Sequence, residues 1–330
     1  MANKYYPMNS AEILDQVLSV YKKSFFKQIS VSVIFSIIFL AAAYFLLMII
    51  FVLDEVGGGF TPRTGIAEVI NIIVSLILLI LSISIFQALT ATGNALISKH
   101  TFFEEHCDVG GILKASFKKI LIATSAILAN LIILLPVIAM AAFLIHVFYI
   151  SATMNFYIVA HASAIPIIAA FMFLIILILV LFLICAVITM MSISVAVFEG
   201  RWFFDAVMRS FKLVKPDYIK ITGLLVMWFL ITAALMHSLD IIFGVVSLLV
   251  MYFSPEEVAN AVFLSILAFR SSFSLIIYTI IAPLLGIFST IMYINQRIKL
   301  EGLDIELNLK ALEVKRNNDN IRASHERGVE

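Results

Sequence analysis

The sequence predicts an all-α polytopic membrane protein of six transmembrane helices, with both termini in the cytoplasm and amphipathic helices at the cytoplasmic interface. Three observations carry that expectation. Of 330 residues, 63% are hydrophobic and 13% charged, against roughly 45–50% and about 25% in soluble domains, and the mean hydropathy is +1.11. The apolar residues fall in uninterrupted blocks, long enough at about 1.5 Å per residue to cross a hydrocarbon core of about 30 Å. The basic residues alternate sides: counts of Lys and Arg in successive connections run 4, 1, 4, 0, 5, 1 and 7, with Lys220 and Arg270 assigned to the connections they adjoin.

An amphipathic helix is expected over 9–28. Asn9 and Glu12 have the spacing of a capping box, and Ile13, Leu14, Val17, Leu18, Tyr21 and Phe25 share a helical face. Spans follow near 29–53, 66–97, 120–145, 165–198, 219–253 and 263–294. Several exceed a perpendicular crossing, so tilt, kinking or projection beyond the membrane is expected. Pro136 and Pro283 sit inside spans three and six, where each removes a backbone donor and bends its helix. Before the third span, Leu113, Phe117 and Ile120 repeat the amphipathic spacing among Lys114, Lys118 and Lys119. Before the fifth, Phe203, Ala206, Val207, Ser210 and Val214 do so, with Asp205 and Arg209 placed for an i,i+4 ion pair. Each such segment is expected to lie in the headgroup plane. Aligning them brings Tyr21-Lys22, Phe117-Lys118 and Phe211-Lys212 into register at separations of 96 and 94 residues. The chain then reads as three units of interfacial helix plus hairpin. Residues 1–316 form one membrane domain in this reading, and 317–330 a polar, disordered tail. The polar N-terminal stretch lacks a cleavable signal pattern, which leaves the first span as the targeting element.

Orientation follows from the basic residues, because connections rich in Lys and Arg stay cytoplasmic. The alternation puts 20 of the 22 inside, whereas 15 acids lie inside and 6 outside. The bias belongs to the cations. Cys107, in a cytoplasmic connection, and Cys185, inside a span, suggest no disulfide.

Three islands carry a family resemblance: AEILDQVLSVYKKSFFK, FEGRWFFDAVMRSFKLVKPDY and APLLGIFSTIMYINQRIKLEGLDIEL. Within them stand Glu199-Gly200 with Ala206, Arg209, Ser210 and Leu213, and Tyr293 with Arg297, Glu301, Gly302 and Asp304. Together they resemble the membrane domain found beside glycerophosphoryl diester phosphodiesterases and in stand-alone bacterial proteins. Where that pattern carries an aspartate two residues after the tyrosine, this chain has Asn295. The family's hydrolytic residues belong to a soluble barrel that this sequence lacks. The resemblance therefore implies a fold and a bacterial plasma-membrane address, not phosphodiesterase activity.

Candidate chemistry is sparse. Gln87 and Asn130 fall near the midplane, about 15 Å in from the cytoplasmic helix ends, where they either bond to each other or line a small polar cavity. No acid or base falls at the midplane, which argues against an ion-coupled transporter. His146, His161, His237 and Asp240 collect in the outer half; His237 and Asp240 share a face and offer two ligands of a zinc site, while imidazoles at a membrane surface more often serve as anchors. Gly57-Gly58-Gly59 lacks the Lys-Ser/Thr of a phosphate loop and reads as a turn. No nucleophile stands with a base at catalytic spacing, and G-x-S-x-G, HExxH and CxxC are absent from the sequence. No cofactor and no nucleic-acid partner are expected. Lys22, Lys23, Lys27, Lys118, Lys119, Arg209, Lys212 and Lys215 border the amphipathic helices, setting topology or forming a lipid-contacting collar. The first expectation is a non-catalytic scaffold or accessory subunit whose partners are membrane lipids and a protein at the cytoplasmic face. The alternative is a transporter or permease for a small or lipid-like solute, which requires a polar cavity between helices. An enzyme on lipid head groups ranks third.

Overall fold

A computed structural model describes residues 6–56, 65–105, 108–154, 164–253, 256–303, 305, 306 and 309. These are helical throughout apart from short turns, and six helices are long and apolar enough to cross a membrane. The helices are α1 (Ser10–Val56), α2 (Gly65–Phe102), α3 (Val109–Lys118), α4 (Ile120–Met154), α5 (Ala164–Thr189), α6 (Ser192–Glu199), α7 (Phe203–Val214), α8 (Tyr218–Phe253) and α9 (Glu256–Glu301), with a 3₁₀ turn at Lys215–Asp217 before α8.

The boundary expected at 28/29 is absent: α1 runs unbroken for 47 residues. No Gly or Pro lies within it, and once a helix is nucleated, continuing it is cheap. Its inner face reads Ile13, Val17, Val20, Ser24, Gln28, Val31 and Phe35, all buried. That single stripe at helical spacing passes from the amphipathic part into the span. The capping box forms, with Asn9 N–H donating to Glu12 Oε2 and Glu12 N–H to Asn9 Oδ1. Gln28 Nε2 donates to Ser98 Oγ of α2 at 3.3 Å, and a Cβ added to Gly93 would sit 2.6 Å from Val31 Cγ1. Close packing of α1 on α2 depends on that bare backbone.

α3 and α7 are separate helices, each leading directly into a long one. On α3 the buried residues are Ile112 and Ser116, while Phe117 is exposed, so the face turned inward differs from the expected Leu113, Phe117, Ile120 stripe. On α7 the buried face is Ala206, Val207, Ser210, Leu213 and Val214. The fourth span is not continuous: α5 stops at Thr189 and α6 begins at Ser192. Span six continues beyond 294, to Glu301.

The core occupies the end of the bundle where α1 begins and α2, α6 and α9 finish; we call this the basic end. Its hub is the second half of α9, which packs against α1, α2, α6, α7 and α8. Ile287, Phe288, Ile291 and Tyr293 meet Val17, Met191, Leu213 and Trp228 there, and the Trp228 and Phe288 rings stack at 5.2 Å. Toward the other end the helices present large apolar side chains outward, among them Leu40, Phe45, Phe143, Phe173 and Leu248. Such a belt is at ease in lipid and not in water. Pro283 cannot donate to the preceding turn, and one turn earlier the Ile280 carbonyl accepts from Tyr21 Oη at 2.7 Å. A partner helix thus serves backbone groups beside a proline.

Candidate functional site

Two features stand out, a ring of four charged side chains closed by a tyrosine at the basic end and a polar cavity between the helices. The ring begins with helix ends. Glu199 is the last residue of α6 and Glu301 the last of α9, and the glycine after each, Gly200 and Gly302, takes a left-handed φ of 70° and 65°. A side chain at either position would be strained. A carboxylate at a helix C-terminus faces the negative end of the helix dipole, so each glutamate needs a cation.

Arg209 of α7 serves both. Its Nε donates to Glu199 Oε1 and Oε2 at 3.2 and 3.0 Å, and its Nη2 donates to Glu301 Oε1. Arg297 Nε donates to Glu301 Oε2 at 2.9 Å and its Nη1 to Tyr293 Oη at 3.3 Å. Tyr293 Oη donates to Glu199 Oε1 at 3.1 Å and closes the ring. Outside it, Arg201 Nε adds a bond to Glu199 Oε2 at 3.0 Å. The side chains of Glu199 and Arg209 are only 14% and 20% exposed, so these charge-assisted bonds are less screened than surface pairs. The expected Asp205–Arg209 pair does not form. Arg209 is turned inward to the two glutamates, while the exposed Asp205 lies 3.9 Å from Arg201.

Neighbouring contacts brace the ring. Phe198 stacks on Tyr293 at 5.5 Å, and Lys99 lies over the Phe198 ring. Asp217 accepts from Lys299 Nζ at 2.5 and 2.6 Å and from Gln296 Nε2 at 3.2 Å, tying the start of α8 to α9. Asn295 Oδ1 accepts the Met8 N–H at 2.7 Å. Asn295 is buried, so the neutral amide meets a backbone donor where a carboxylate would face desolvation. Lys119 Nζ donates to the Val197 carbonyl in the last turn of α6; burial, then Lys99 and Lys118, holds its ammonium below the usual lysine range.

The cavity, about 330 Å³, lies between α1, α2, α4, α6 and α9. Its polar wall is formed by Ser32 and Ser36 of α1, Gln87, Thr90 and Asn94 of α2, Ser194 of α6, and Thr279 and Ser289 of α9. Among the described residues lining it, none is charged. Ser32 Oγ and Asn94 Oδ1 have no hydrogen-bond partner, although the two residues are only 4% and 3% exposed. A buried polar atom without a partner costs about 1–3 kcal/mol.

One wall is the break between α5 and α6. Met190, at the break, lines the cavity, as do Ile193 and Ser194. Three side chains hold the break open. Ser210 Oγ donates to the Ile188 carbonyl at 2.7 Å and accepts the Met191 N–H at 3.3 Å, Ser192 Oγ donates to the Thr189 carbonyl, and Ser289 Oγ donates to the Met190 carbonyl at 2.6 Å. Non-helical backbone at membrane depth persists only where protein or a cavity satisfies it.

Of the residues singled out in sequence, Glu199, Arg209, Tyr293, Arg297 and Glu301 converge in the ring, Gly200 and Gly302 end its helices, and Ser210 secures the break. Asp304 lies outside the described residues. Gln87 lines the cavity, but Asn130 pairs with Ser192: its Nδ2 donates to Ser192 Oγ at 2.8 Å, and the hydroxyl stands 2.9 Å from Asn130 Oδ1. The direct Gln87–Asn130 alternative therefore gives way, because the α6 hydroxyl is within reach of Asn130. His146 and His237 are exposed on α4 and α8; His161 and the side chain of Asp240 fall outside the described residues. Among the described residues no three His, Cys, Asp or Glu side chains are grouped to hold a metal ion. Sequence reasoning missed Ser32, Asn94, Ser194 and Ser289. The signal was present as polar pairs one turn apart inside apolar blocks, Ser32/Ser36 and Thr90/Asn94.

Compared with family models, curated proteins and solved structures, the chain matches none.

Proposed function

We propose that this is a non-catalytic membrane protein that admits a small uncharged solute, or the head of a lipid, to the cavity between α1, α2, α6 and α9, as a permease or membrane binding protein does. The observation that carries the reading is the cavity of about 330 Å³ itself, lined by polar side chains of α1, α2, α6 and α9 with no charged residue among the described ones. The interrupted helix on the opposite wall supports it, since interrupted membrane helices are a recurring way to build solute sites. Lack of charge in the wall argues for an uncharged guest rather than ion-coupled chemistry. The basic end is taken as cytoplasmic because 20 of 22 basic residues belong to connections on its side. The resemblance of the 199–213 and 293–304 islands to a non-catalytic membrane domain fits the same reading.

Thiol access tests it. With Cys107→Ser and Cys185→Ala as background, Ala282→Cys on the cavity wall is expected to react with a small membrane-impermeant maleimide. A permease gives reaction from both sides of sealed vesicles and a binding protein from one. No reaction from either side would end the cavity reading.

A second reading, an accessory subunit bound to anionic lipid, has its own observation. Phe26 (82% exposed), Phe117, Trp202 and Met208 stand outward beside Lys22, Lys23, Lys118 and Lys212. Aromatic and basic side chains in that mixture suit a headgroup layer. Replacing Lys22, Lys23 and Lys118 by Gln should reduce co-purified anionic lipid, measured by native mass spectrometry; unchanged lipid content would count against this reading.

A further inference from the structure

We propose that Lys99, Lys118 and Lys119 form a binding site for a phosphate group at the basic end; it sharpens the second reading above, a headgroup layer, into one site, and rests on it where the phosphate belongs to a lipid. Two contacts bring the lysines together at the last turn of α6. Lys119 Nζ donates to the Val197 carbonyl, and Lys99 Nζ stands 5.2 Å from the centre of the Phe198 ring. Lys118, the last residue of α3, is exposed next to Lys119.

The charge there is unbalanced. Close by, Arg201 and Arg209 hold Glu199, Arg297 holds Glu301 and Lys299 holds Asp217. None of the three lysines has an ion pair among the described residues. In the adjoining connection Glu105 pairs with His100, and Asp108 caps α3. Burial, then Lys99 and Lys118, weakens the hold of Lys119 on its proton, which places the ammonium groups within one another's field. The ends of α2, α3 and α6 offer their carbonyls to these lysines, at about half a charge each or about −1.5 together. Against three full charges that leaves a cationic excess, which an anion relieves.

Two considerations select phosphate. Ammonium groups are compact donors that can approach a tetrahedral oxyanion from three directions, whereas a planar carboxylate pairs best with the fork of an arginine. Phe117 and Leu121 adjoin Lys118 and Lys119 in the chain and are 46% and 70% exposed. An apolar rim beside lysines suits the headgroup level of an anionic leaflet, where phosphates are dense.

The test uses the purified full-length protein in detergent, with lipid affinity read by native mass spectrometry and thermal unfolding followed on the same samples. The probes are dioleoylphosphatidic acid, dioleoylglycerol, dioleoylglycerol succinate, which puts a carboxylate on the same two chains, and sodium phosphate against sodium chloride at equal ionic strength. Phosphatidic acid is expected to bind more tightly than the other two lipids, or inorganic phosphate to raise the Tm beyond chloride. The first outcome assigns the phosphate to a lipid and the second to a free ion; neither overturns the proposal only if one of them occurs, and the absence of both ends it. Lys118→Gln removes an exposed cation that makes no hydrogen bond or ion pair among the described residues. The empty protein should keep or raise its Tm while phosphate affinity falls about fivefold, the order of one lysine. Lys99→Gln with Lys119→Gln, whose new amide at 119 can still donate to Val197, should weaken binding about twenty-fivefold on the same scale. Unchanged affinity in a folded Lys118→Gln protein overturns the proposal, as does a fall in Tm without a fall in affinity, the result expected if the lysines only cap helix ends. Lys22→Gln with Lys23→Gln on α1 is the control. An equal loss there overturns the site and leaves the headgroup layer standing, whereas no loss in any variant removes both.

Discussion

Glu199 is the residue on which the basic end turns, because it accepts from Arg201, Arg209 and Tyr293 at the C-terminus of α6. Glu199→Gln keeps the shape and removes the charge, leaving two guanidinium groups facing a neutral amide. The expected cost is about 1–3 kcal/mol of stability, read as a lower unfolding midpoint in detergent; Asp205→Asn, which changes an exposed carboxylate, should stay within about 0.5 kcal/mol. Arg209→Lys is not a mild change here. One ammonium lacks the planar fork that reaches Glu199 and Glu301 together, so it should recover little of the stability that Arg209→Ala loses. Recovery to the parent midpoint would show that charge alone matters. Gly302→Ala places a side chain at φ 65° and should cost about 1 kcal/mol, with fraying of the end of α9 visible in hydrogen exchange.

At the scale of elements, the interruption between α5 and α6 is the feature with the most consequence. It is held from outside by Ser210 of α7 and Ser289 of α9. Ser210→Ala is therefore expected to speed amide exchange over residues 188–193 without touching the ring's own contacts. Exchange unchanged there would mean that the local sequence alone maintains the break. The amphipathic segments were legible as periodic patterns, but their fate was not. In α1 the pattern merges with the span, whereas α3 ends at the turn on Lys119 and α7 at Lys215-Pro216-Asp217. Periodicity marks which face is apolar; it does not say whether that face meets lipid or another helix. Leu18, on the expected apolar face, is exposed, whereas Val20, which that face did not include, is buried.

For the whole molecule, topology is the claim with the widest reach. Lys212 lies on α7 at the basic end and residue 155 follows α4. Lys212→Cys should be protected from an impermeant reagent applied to intact cells, and Asn155→Cys labelled; the reverse pattern would invert the assignment of sides. The sequence by itself determined the solvent of this protein, the number of its spans and the residues of the two charged islands. Those follow from the composition of contiguous segments, which is a local property. Only the tertiary structure decided that the islands close one ring, that Asn130 is matched by Ser192, and that Ser32 and Asn94 border a cavity. The reason is physical: within lipid each span satisfies its own backbone, so nothing in a span's sequence names its neighbour. The pairing of polar side chains is set by how six similar apolar cylinders pack.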